Sequence, residues 1–188
     1  MGRPTTKRRL HDVDPEAFGR DVADRVAAHL KKLLGTQDDD IARLITQHVH
    51  DIAEEASLLA NFARDAKAAP LTTRSRKKSA KHTLERASIA LLAVRVWLYS
   101  CAAHSETAVE TIATFPSDDI GLVLLAAHAR VRLGHGEAVP VRELACLAGV
   151  DPDHVRLLAR QGEIPIMGGA VAPRAARQWL EERGIALS

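Results

Sequence analysis

Arg156 and Arg160 stand four residues apart in the stretch VRELACLAGVDPDHVRLLAR, residues 141–160, and on a helix that spacing brings two side chains to one face, one turn apart. Arginine carries its N–H donors in a planar fork, the geometry that reads a guanine edge bidentately or clamps a phosphate. His154 and Gln161 flank the pair as auxiliary contacts, while Arg142, Arg174 and Arg177 lie close enough in the chain to serve as phosphate contacts. Two further basic groups stand apart: Arg74, Arg76, Lys77, Lys78 and Lys81 after Pro70, and Arg3, Lys7, Arg8 and Arg9 near the first residue. Basic arms of this kind neutralise nucleic-acid phosphates without reading sequence, and they also occur as plain solvated linkers and tails.

Other chemistries find less support. Cys101 and His104 are one helical turn apart and could share a metal, but a closed zinc site needs a second pair and none stands at matching spacing. The thiols of Cys101 and Cys146 therefore read as small core groups. His48 and His50, two residues apart, point to different faces of a helix, and His48 falls on an apolar stripe as a packed or edge histidine. Glycine-rich phosphate loops, nucleophile elbows and His-Glu-x-x-His helices are absent from the sequence. The reading is a protein without catalytic residues, metal or cofactor.

The elements that must position these residues are helical. Of 188 residues, 46% are apolar and only 3% aromatic, so the core is built from Ala, Leu, Val and Ile. Asp14-Pro15-Glu16 is a helix start, and Phe18, Val22, Val26, Leu30 and Leu33 recur at helical spacing until Gly35. Asp38-Asp39-Asp40 opens a second helix whose stripe runs through Ile41, Ile45, Ile52, Ala56, Leu59 and Ala63. A third, from about Ser79 to Ala103, is apolar nearly all round through Ile89, Leu91, Leu92, Val94, Val96, Trp97 and Leu98, so it is expected at the centre or between subunits. Its apolar run, Ala87–Ala103, holds Arg95 mid-way and falls short of the roughly 20 residues that cross a bilayer. Ser105 and Ser117 read as N-caps, the first of a short helix ending near Phe115-Pro116. The second opens a longer helix carrying Ile120, Val123, Leu124, Ala127 and Val131 to Gly134.

Charge divides the chain. The net is +2, yet residues 1–9 carry +4, 10–66 carry −6, 67–86 carry +6, and 87–136 and 137–188 carry −1 each. With the break at Gly134-His135-Gly136, the expected organisation is a basic arm over 1–13, an all-α dimerisation or interaction domain over 14–136 with a basic linker at 67–81, and a compact module over 137–188.

Within that module, Leu144, Ala148, Val155 and Leu158 can share a core, Ala145 allows close approach, Gly149 permits a left-handed turn, and Asp151-Pro152 starts the second helix. Ile164-Pro165-Ile166, Gly168-Gly169 and Ala170-Val171-Ala172 then read as two short strands around a glycine turn. Pro173 opens a last helix that docks Ala176, Trp179 and Leu180. Residues 139–185 resemble the winged helix-turn-helix domains of the excisionase and MerR-like group. The Ala145, Gly149, Val150 and Val155 spacing is the general pattern, and Arg160-Gln161-Gly162-Glu163-Ile164-Pro165 with the glycine turn and Trp179-Leu180 is similar to the excisionase branch. Two departures stand out: Asp151 and Asp153 begin the second helix, and Met167–Ala172 is uncharged, while Glu143 and Glu163 offset the nearby arginines.

The expected fold is thus mainly α, an N-terminal helical bundle followed by a small winged helix-turn-helix domain. The resemblance implies a sequence-specific protein binding double-stranded DNA as a homodimer, a transcriptional regulator of mobile-element or plasmid type, with residues 14–136 free to bind a protein partner. The competing reading is a helical adaptor or antitoxin that uses the motif as a docking module. With no secretory-type apolar stretch at Met1-Gly2-Arg3-Pro4, the chain reads as cytoplasmic and not membrane-bound.

Overall fold

A computed structural model describes residues 9–34, 39–65, 76–102 and 119–187. The expected helix from Ser105, His104, and the basic residues Arg3, Lys7, Arg8 and Arg74 lie outside the described residues. The fold is mainly α with one small antiparallel sheet. After a turn of 3-10 helix at Leu10–Asp12 come α1 (Pro15–Leu34), α2 (Asp39–Asp65), α3 (Arg76–Ala102) and α4 (Asp119–His135). The chain continues through β1 (Val139–Pro140), α5 (Val141–Ala148), α6 (Pro152–Arg160), β2 (Ile166–Met167), β3 (Ala170–Val171) and α7 (Pro173–Glu181).

Asp14 starts α1 as its type and position require: its carboxylate accepts from the Glu16 N–H at 3.1 Å, satisfying a donor that has no partner inside the helix. Phe18, Val22 and Val26 are buried on α1 and Ile52, Ala56, Leu59 and Ala63 on α2, and these two helices make the most extensive contact among the described elements. His48, expected on that apolar stripe, is exposed, and so is His50, which pairs with Glu54 at 3.4 Å.

The central helix is α4 and not α3. Leu122, Val123, Ala126, Ala127, Ala129, Val131 and Leu133 bury almost the whole circumference of α4, which packs on α2, α3 and α5. On α3, Thr83, Ala87, Ala90, Leu91 and Val94 are buried and Leu84, Trp97 and Leu98 pack half-buried against the core, while Ile89, Leu92 and Val96 are exposed. Apolar composition alone does not rank the two helices, because both are apolar and only the elements packed around each decide which is enclosed. One buried apolar cluster runs from Leu10 to Leu180, so α5–α7 share the core of the preceding helices.

The sheet has the order β1-β3-β2, one strand more than the glycine turn implied. Val139 pairs with Val171 and Pro140 with Ala170 on one side of β3, and Ile166 and Met167 pair with the same two residues on the other. Pro140 is tolerated because β1 is an edge strand. The Val141 N–H donates to the Gly169 carbonyl at 3.1 Å, fixing the β2–β3 turn against the first residue of α5.

Candidate nucleic-acid interface

Helices α5 and α6 are joined by Gly149-Val150-Asp151. Gly149 adopts φ 66° and ψ 26°, a left-handed conformation that costs a side-chain-bearing residue free energy, and it lets the Val150 N–H close back on the Ala145 carbonyl at 3.0 Å. Asp151 then caps α6, its carboxylate accepting from the Asp153 N–H at 2.9 Å ahead of Pro152 in the first turn. Leu144, Ala145, Val155 and Leu158 are buried and Ala148 half-buried. The orientation of α6 is thus set by apolar packing on one side and by a cap and a glycine turn at its start. Gly168 and Gly169, both at positive φ, make the tight turn between β2 and β3.

This arrangement turns Asp153, His154, Arg156, Leu157, Arg160 and Gln161 outward, all exposed. The two arginines differ. Arg156 is held by Asp153 in an (i, i+3) ion pair at 2.5 Å, whereas Arg160 makes no ion pair among the described residues. Arg174 is exposed on α7 and Arg142 half-buried on α5. Arg177 is half-buried and donates to the Leu133 carbonyl in the last turn of α4, so part of its donor set is tied up inside the fold. Arg76, Lys77 and Lys78 occupy the first turn of α3, which begins ahead of the expected Ser79 and takes them out of the connecting segment.

Several charges play roles that the sequence did not announce. Glu143, read as an acid offsetting the basic face, is buried and turned toward α4, where it meets His128 Nδ1 at 3.0 Å and Arg132 Nε at 3.2 Å. The Arg132 contact is an ion pair without hydrogen-bond alignment. Arg130, 4% exposed, joins three segments: it donates to the Ala63 carbonyl at 2.8 Å, the Arg64 carbonyl at 3.1 Å and the Ala186 carbonyl at 2.5 Å. Ala63 and Arg64 lie in the last turn of α2, where carbonyls lack partners within the helix and a cation is favoured. Burial lowers the Arg130 pKa to about 10, partly opposed by Asp65, and leaves the guanidinium charged at neutral pH. Arg183 lies over the Trp179 ring at 4.2 Å.

Cys146 is buried with its thiol directed at the Leu122 carbonyl at 3.3 Å, and burial pushes its pKa up to about 12. It is a packed thiol. Among the described residues no three His, Cys, Asp or Glu side chains stand close enough to hold a metal ion, and no helix is long and apolar enough to cross a membrane.

Comparison with known proteins finds no match. Neither a protein-family model, nor a curated protein, nor a solved structure is significantly similar to the chain.

Proposed function

We propose that the protein is a sequence-specific binder of double-stranded DNA, a transcriptional regulator of mobile-element or plasmid type, with α6 as the element that enters the major groove. The observation that carries this reading is the outward face of α6: Arg160 exposed and without an ion pair among the described residues, with His154, Arg156 and Gln161 beside it, on a helix whose capped start and buried back fix its direction. An arginine so held can meet guanine O6 and N7 together. Arg142 and Arg174 are the phosphate contacts on the neighbouring helices, with the remaining donors of Arg177. Arg76, Lys77, Lys78 and the arm at Arg3–Arg9 add affinity without selectivity.

Dimerisation belongs to the same reading. The exposed stripe Ile89, Leu92 and Val96 on α3 supports a second copy as its cover, and sedimentation of wild type against Leu92→Asp tests it. The same stripe supports the competing reading, a helical adaptor or antitoxin that binds another protein.

Selection of bound sequences from random duplexes tests the proposal. The expected result is one enriched motif containing guanine, with affinity falling as salt rises. Retention of no duplex above background at low salt overturns it.

A further inference from the structure

Large apolar side chains are exposed at only two described positions beyond residue 136: Leu157 at 48% and Met167 at 83%. Leu157 is the more informative because of its place. Residues of α6 separated by four lie along one line of the helix surface, so Asp153, Leu157 and Gln161 form a row down the exposed side. Arg156 and Arg160 flank that row on one side and His154 on the other, whereas Val155 and Leu158 are buried behind it. The middle of the outward face is therefore an isobutyl group ringed by polar and charged side chains, Arg156, Arg160 and His154 with Gln161 and the single acid Asp153.

We infer that Leu157 is a specificity-determining residue that packs on thymine C5-methyl groups in the major groove. This rests on the DNA-binding reading of α6 and adds to it a second kind of base readout. In the major groove only thymine presents a methyl to an apolar side chain. The cationic flank complements the phosphates bordering the groove, and with Glu143 turned inward α5 brings no acid to that side. An apolar centre with Arg160 beside it fits a sequence that combines thymine with guanine.

The test replaces single atoms of the DNA. In duplexes carrying the motif selected by the full-length protein, each thymine under α6 is changed in turn to uracil, which deletes the C5-methyl and leaves the pairing edge intact. Fluorescence anisotropy then compares wild type with Leu157→Ala. Wild type is expected to lose about fourfold in affinity at one or two thymines, the equivalent of ~0.8 kcal/mol for one buried methyl. Leu157→Ala is expected to bind more weakly and to lose that methyl dependence. A selected motif without thymine under α6 overturns the inference, as does a wild type indifferent to every replacement or a Leu157→Ala variant equally sensitive to them, and in all three cases DNA binding itself stands. Failure to bind any duplex removes the DNA reading and this inference together, and then Leu157 and Met167 belong to a protein-binding surface.

Discussion

The two sides of the α5–α6 pair treat charge in opposite ways. On the side facing α4, Glu143 lies between His128 and Arg132, and elsewhere inside the fold Arg130 of α4 donates to the last turn of α2 and to Ala186, and Arg177 of α7 to Leu133. On the outward side of α6, Arg160 is exposed and makes no ion pair among the described residues, and Arg156 pairs with its neighbour Asp153. Residues 137–188 sum to −1, a figure that describes neither surface. Packing removes Glu143 from the outer field and withdraws part of Arg177. What a partner would meet is the residue set left over after folding, so the inner face should govern stability and the outer face binding.

The largest expected effect is at Arg130. Arg130→Ala leaves the carbonyls of Ala63, Arg64 and Ala186 without their donor and should destabilise the protein by roughly 3–5 kcal/mol in urea unfolding, as loss of a buried charged partner commonly does. A loss below ~1 kcal/mol would break the contrast with the outer face, where substitutions such as Arg160→Ala should stay within about 0.5 kcal/mol.

Cys146 gives the inner face a pH signature. Its folded pKa is raised from an ordinary 9.0 to about 12, so the folded state keeps a proton that the unfolded chain releases. The associated stability is fully present below pH 9 and is lost as pH rises toward 12. Between pH 8 and pH 10 wild type should lose about 1 kcal/mol more than Cys146→Ala in the same solvent, a difference read from paired urea titrations. Equal losses would show that the thiol is not held in an apolar site.

Asp153 sharpens the outer face. Asp153→Asn removes the acid that pairs with Arg156, and exposed pairs of this kind contribute only about 0–1 kcal/mol to stability, so the fold should be unaffected. DNA affinity at low salt should rise two- to several-fold, and the salt slope should steepen by about one unit if Arg156 then reaches a phosphate. An unchanged slope would exclude Arg156 from the phosphate contacts.

How much of this was legible in the sequence follows from the range of each interaction. Asp14-Pro15, Gly149, Asp151-Pro152 and Gly168-Gly169 act within a few residues, through caps and positive-φ turns, and the structure has them where their chemistry requires. The mainly helical fold with a small sheet was legible for the same reason. β1 was not, because Val139-Pro140 becomes a strand only by pairing with Ala170-Val171 across the intervening α5 and α6. Arg130 reads as an interruption in an apolar helix until the carbonyls of Ala63, Arg64 and Ala186 are brought to it by the fold. Glu143 stands beside the arginines in sequence but faces inward in the fold, because its partners His128 and Arg132 lie on a separate helix. The exchange of centrality between α3 and α4 has a similar origin: both are apolar, and only tertiary packing decides which is surrounded.

The central claim is that the outward face of α6 reads DNA through Arg160, and the most direct measurement compares wild type with Arg160→Ala on the selected duplex and on an unrelated one of equal length. If Arg160 meets a guanine, the substitution should cost roughly 1–3 kcal/mol on the selected duplex and much less on the unrelated one, with urea unfolding unchanged. An equal loss on both duplexes would make Arg160 a phosphate contact only. Undiminished binding to the selected duplex, with the variant folded, would contradict the claim that this face reads DNA.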